Sequence, residues 1–177
     1  DAFDQSSSGA TLVDMMDLDL LVGSGGVLSH APRRQQAAMM LIDGFLPEGV
    51  TRLAVDSIFM MPQLGVLAEV HEQAATEVFE KDCLIHLGTL VAPAGTAQEG
   101  KPWVKLEATM PDGSSIKEDI PYGEMRVYPL SVTEKAKVKL TPARGFDLGE
   151  GPAKPVETSV SGGVVGLMID TRGRPFT

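Results

Sequence analysis

The chain has 177 residues, of which 43% are hydrophobic and 22% charged, and a formal net charge of −9. That length lies just above one average domain, and the balance excludes disordered, collagen-like and low-complexity architectures. No apolar run approaches the ~18 residues that cross a bilayer, and no cationic segment with a long apolar run marks a signal peptide. One cysteine, Cys83, leaves no internal disulfide to form and suits a reducing compartment, so a cytoplasmic protein without a membrane partner is expected.

Charge is distributed unevenly. From Asp1 to Asp82 there are 13 acidic against 4 basic residues, and from Cys83 to Thr177 there are 11 of each. An acidic first half and a neutral second half would repel a phosphate polyanion, so no nucleic-acid partner is expected. The lysines of the second half alternate with apolar residues, as on the solvent face of a strand.

In chain order, a polar stretch (Ser6 to Gly9) precedes Thr11 to Asp17, read as a loop or short helix. Leu18 to Val22 is a short apolar strand of the kind buried in a parallel sheet, ended by Gly23-Ser24-Gly25-Gly26. Pro32 suits the first turn of a helix that carries Ala37, Met40, Leu41 and Phe45 on one face and stops at Pro47 and Gly49. Thr51 to Asp56 reads as a second strand. Pro62 opens another helix with Leu64, Leu67, Ala68 and Val70 inward, and a last helical piece runs from Glu72 to Glu80. This is an α/β fragment of strand, helix, strand and helix.

Beyond Asp82 the pattern changes to short alternating runs punctuated by Pro, Gly and Asp. Strands are predicted over Leu84–Val91, Trp103–Met110, Ser115–Ile120, Glu124–Leu130, Lys135–Thr141, Val156–Val160 and Val164–Asp170. Pro111-Asp112-Gly113, Ser161-Gly162-Gly163 and Asp170-Thr171-Arg172-Gly173 are turns. The fold class expected is therefore an α/β fragment followed by an all-β barrel or sandwich, mixed α and β overall. Two units are expected, 1–82 and 83–177.

The most informative segment is Leu18 to Pro32, LDLLVGSGGVLSHAP. An apolar strand feeding a glycine-rich turn and then a helix brings backbone N–H groups close to a phosphate or sugar, because glycine has no Cβ and accepts positive φ. A tight strand-to-helix turn with no ligand has the same pattern, and both readings stay open. The dinucleotide fingerprint fails because Leu28 replaces its third glycine, although Asp56 resembles its ribose-binding acid in position. Gly95 to Lys101 (GTAQEGK) spells most of a P-loop, but Pro102 stands where Ser or Thr is required. His30, His71 and His86 are scattered, Cys83 has no base near it, and neither a metal site nor a catalytic residue is predicted. The pairs Met15-Met16, Met39-Met40 and Met60-Met61 are read as core packing, with a mobile partner-binding surface as the alternative.

The run from Val22 to Val70, VGSGGVLSHAPRRQQAAMMLIDGFLPEGVTRLAVDSIFMMPQLGVLAEV, resembles the closing part of the glutamate mutase MutL accessory-protein family. That family is unrelated to the mismatch-repair protein of the same name. More distantly the run is similar to the second lobe of the actin, heat-shock chaperone and sugar kinase ATPases. There, a strand ending in a Gly-Gly turn packs against the adenosine of ATP. The tail from Lys139 to Pro175 also resembles the C-terminal end of longer members. The resemblance implies that Gly23, Ser24, Gly25, Gly26 and Val27 bind the adenosine of ATP, with magnesium held elsewhere in the full-length parent. It implies a role as the C-terminal part of an ATP-dependent protector or reactivator of an adenosylcobalamin-dependent mutase, ATP hydrolysis driving a lobe movement that loosens the mutase. The phosphate loops and magnesium-anchoring acid of the first lobe have no counterpart in these 177 residues, so this chain is not expected to be catalytic alone.

Overall fold

A computed structural model describes residues 13–95 and 101–174. Ser6 to Gly9 and the start of the Thr11–Asp17 segment lie outside the described residues, as do residues 96–100 of the P-loop-like stretch. Met15–Asp17 form a single 3-10 turn, started by the Asp14 carboxylate, which accepts the Met16 N–H at 2.9 Å.

The elements that follow are β1 (Leu20–Gly23), α1 (Gly26–Ser29), α2 (Arg34–Phe45), β2 (Gly49–Asp56), α3 (Met61–Val78) and β3 (Leu84–Ala92). Then come β4 (Pro102–Thr109), β5 (Ser115–Pro121), β6 (Met125–Tyr128), β7 (Lys135–Pro142), β8 (Val156–Ser161) and β9 (Gly166–Asp170). One sheet has five strands in the order β1-β2-β3-β9-β6, and the other has four in the order β5-β4-β7-β8. The first mixes parallel pairs (β1 with β2, β3 with β9) and antiparallel ones, whereas the second is wholly antiparallel. Both sheets keep two open edges, so the β architecture is sandwich-like and not a closed barrel. Pairing runs without a break across residue 82, since β2 pairs with β3 along its whole length and β9 pairs with β3.

Strand alternation divides the five-stranded sheet into two buried faces. Leu53, Val55, Leu87, Leu90 and Met168 pack under Ala37, Ala38, Leu41 and Ile42 of α2. Val91, Leu167 and Ile169 point the other way, into a core shared with Leu106, Ile120, Val138, Leu140 and Val160 of the second sheet. A bulge keeps β3 on register. Leu53 opposes Gly88 and Ala54 opposes His86, so the extra residue Leu87 turns toward α2.

The helices correct two expectations. On α2 the buried stripe is Ala37, Ala38, Leu41 and Ile42, while Met40, turned off that stripe, and Phe45, at the last position of the helix, are exposed. Pro32 lies just ahead of the helix, whose N-cap is Arg33. On α3, Leu64 is buried and Ala68 half-buried as expected, but Leu67 and Val70 face solvent. A break at His71 (φ −155°, ψ 75°) divides α3 into the two predicted pieces, which fold together around Leu64, Ala75 and Cys83.

Candidate functional site

β1 and β2 are parallel, with Leu20 opposite Arg52 and Gly23 opposite Val55, so both end at the same edge of the sheet. The crevice outside the carboxyl ends of parallel strands is where open α/β sheets receive ligands. Here that edge carries the glycine turn after β1 and Asp56 at the end of β2.

The structure brings Gly23, Ser24, Gly25, Gly26 and Val27 together in one turn and the start of α1, and gives each a different job. Gly23 is buried, and a Cβ there would lie 2.7 Å from Leu28 Cδ1 and 2.8 Å from Leu41 Cδ2, so its glycine lets both leucines close over the strand end. Gly25 has φ +116°, a conformation that favours glycine. Gly26 opens α1 with ordinary geometry, and a Cβ at Gly25 or Gly26 would meet nothing within 4 Å. Val27 is 76% exposed. The turn thus presents an open backbone surface followed by an unburied aliphatic side chain.

Asp56 is the residue whose importance sequence reasoning missed. It is fully buried, and its carboxylate accepts N–H groups from Ile58 (3.3 Å), Met60 (3.1 Å) and Met61 (3.0 Å) at the start of α3. It also accepts the Ser24 hydroxyl at 3.2 Å, and the Ser29 hydroxyl donates to its main-chain oxygen at 2.5 Å. Burial pushes the carboxyl pKa up. The Met61, Met60 and Ile58 amides and the Ser24 hydroxyl outweigh it and hold the group below the usual carboxylate range. The glycine turn and the first turn of α3 are therefore fastened to one ionised carboxylate. The loop between them includes Phe59 at φ +58°, uncommon for an aromatic residue. An acid at a strand end, five residues ahead of a helix that opens Met61-Pro62, was the available signal; it resembled a ribose-binding acid, but its bonds run inward to the chain's own amides.

Other candidates are dispersed. The His30 ring lies against Gly26 O, His71 Nδ1 accepts the Ala74 N–H within α3, and His86 sits on β3. Among the described residues no group of three or more His, Cys, Asp or Glu side chains is placed to hold a metal ion. Cys83 is buried, and burial, with Asp56 and Asp82 nearby, pushes its thiol up and away from reactivity. No described helix is long and apolar enough to cross a membrane.

The comparisons with known proteins fall on this region. Residues 6–83 match the MutL protein family, a segment that holds β1, the glycine turn, α2, β2, Asp56 and α3. No curated protein and no solved structure matches the chain. The glycine turn and the acid that fastens it thus lie inside the segment, residues 6–83, that is similar to the MutL protein family.

Proposed function

We propose that the chain is the C-terminal part of an ATP-dependent accessory protein that protects or reactivates an adenosylcobalamin-dependent mutase such as glutamate mutase. In this reading Gly23 to Val27 form the adenosine-side wall, and the β-rich remainder, residues 83–177, contacts the mutase. The observation that carries it is the coincidence of the family match with an open glycine turn at the carboxyl end of parallel strands. Gly25 and Gly26 leave free space where a ribose and base would lie, and Val27 offers an aliphatic contact for a ring face. Bound ATP would supply the hydrolysable phosphoanhydride. The start of α3 offers its phosphates no cradle, because the Asp56 carboxylate already occupies the Met60 and Met61 amides there.

A second reading is favoured by specific contacts. Gly23 packs closely under Leu28 and Leu41, Gly25 has a positive φ and Ser24 is used on Asp56, so a partner-binding or structural module without nucleotide accounts for these three residues equally well. Gly26 separates the two, since it has neither reason to be glycine.

Titration calorimetry with ATP, ADP and adenosine on wild type and Gly26→Val tests the proposal, with circular dichroism as the fold check. The adenosine-wall reading predicts similar affinities for all three ligands, because only the nucleoside is held, and at least tenfold weaker binding by a folded Gly26→Val. Absence of binding selects the module without nucleotide, and equal binding by the variant removes the glycine turn as the adenosine wall.

A further inference from the structure

The outward face of the four-stranded sheet carries two rows of side chains that register sets side by side. One row runs Lys117, Glu107, Lys139, Glu157 across β5, β4, β7 and β8, alternating in sign. It satisfies itself: Lys117 lies 3.5 Å from Glu107, and Lys139 lies 2.6 Å from Glu157. The next row runs Ser115, Thr109, Lys137, Ser159, so its single charge is flanked by hydroxyls. Two residues along β7, Lys135 faces Ser161. Among the described residues neither Lys135 nor Lys137 has a carboxylate within 4 Å. Lys137 and its hydroxyl row line a groove of about 560 Å³ open to solvent.

Charge and spacing define what fits. The outward positions of these strands carry five lysines against three carboxylates, in a chain whose net charge is −9. Side chains two residues apart on a strand are separated by ~7 Å. The two unpaired ammonium groups are therefore spaced like the carboxylates at alternate positions of an extended chain, and the Thr109 and Ser159 hydroxyls on either side of Lys137 are placed to donate to the same carboxylate.

We infer that this face docks an extended acidic segment of a partner protein running along β7, with carboxylates at alternate positions meeting Lys135 and Lys137 and the Thr109 and Ser159 hydroxyls flanking Lys137. This rests on the partner-contact role given above to the β-rich region, but it uses no nucleotide, so it fails or stands apart from the glycine turn.

Fluorescence anisotropy of the full chain with a labelled peptide of strictly alternating glutamate and threonine tests it. The comparison peptide has the same length and composition, with all its glutamates in one block and all its threonines in the other. Lys135→Gln/Lys137→Gln is compared with the charge-matched control Lys81→Gln/Lys154→Gln. The expected result is salt-sensitive binding, several-fold tighter for the alternating peptide, at least tenfold weaker in the Lys135/Lys137 variant and unchanged in the control. No binding by wild type, equal losses in both variants, or no preference between peptides overturns the inference. So does a wild-type dimer that the Lys135/Lys137 variant dissociates in sedimentation, which would make a second copy the occupant.

Discussion

The two long helices are anchored in opposite ways. α2 lies flat on the five-stranded sheet, with Ala37, Ala38, Leu41 and Ile42 at most 1% exposed. α3 is half as long again, yet only Leu64 and Ala75 are buried, while Val66 and Val70 are 73% and 82% exposed. Length does not hold a helix to a fold; a matching apolar floor does. α3 lacks that floor and is held at its start by Asp56, where α2 is held by its side.

A second buried aspartate makes the contrast sharper. Asp170 ends β9 and faces two guanidinium groups, Arg174 at 2.9 Å and Arg172 at 2.8 Å. Arg172 also reaches Asp43 on α2 at 2.8 Å, and Arg174 donates to Pro47 O at 3.1 Å, so this carboxylate fastens the end of α2 and the loop after it. Asp170 is paired with charge and Asp56 with amides. Asp170 also feels burial raising its pKa, and the Arg172 and Arg174 contacts outweigh it and lower the pKa.

The largest effect is expected at Asp170. Asp170→Ala leaves Arg174 buried without its carboxylate and should cost about 3–5 kcal/mol in urea unfolding. Leu41→Ala, which opens a cavity between α2 and the sheet, should cost about 3 kcal/mol. Asp56→Ala should cost about 1–2 kcal/mol, because three amides and one hydroxyl lose their acceptor at a partly accessible helix start. Its distinguishing sign is local: hydrogen exchange should rise at least tenfold in α3 and stay unchanged in α2. An equal rise in both helices would contradict the separate anchoring. Val70→Ala should change stability by less than about 0.5 kcal/mol.

Acid extends the same contrast. Both aspartates have folded pKa values below their unfolded value of about 3.9. Their stabilising contributions are therefore complete above that value and are lost as pH falls through the folded pKa. Stability should be flat from pH 7 to about 5 and then decline, with a shallower decline in Asp56→Asn and Asp170→Asn. Unchanged acid limbs in both variants would remove the carboxylates from that role.

Periodicity and turn residues were enough to place nearly every element, because Val, Ile and Leu alternate on β4, β5 and β7 and Gly or Pro ends most segments. What they left out is nonlocal. Nothing local in Leu84–Ala92 or Gly166–Asp170 says that these strands pair with each other, or that β3 extends the sheet begun by β1 and β2. Met40 and Phe45 looked inward because they are apolar, but Met40 is turned away from the Ala37, Ala38, Leu41 and Ile42 stripe and Phe45 stands at the end of α2. The glycine turn was legible as a turn. The tie from Ser24 to Asp56, 32 residues away, has no signature short enough to read.

Hydrogen–deuterium exchange on the full chain, with and without saturating ATP, tests the central claim most directly. The account predicts protection at residues 23–29, a smaller change in the first turn of α3 carried through Ser24 and Asp56, and none in α2. Unchanged exchange at residues 23–29, or a uniform change across the chain, would contradict the adenosine wall.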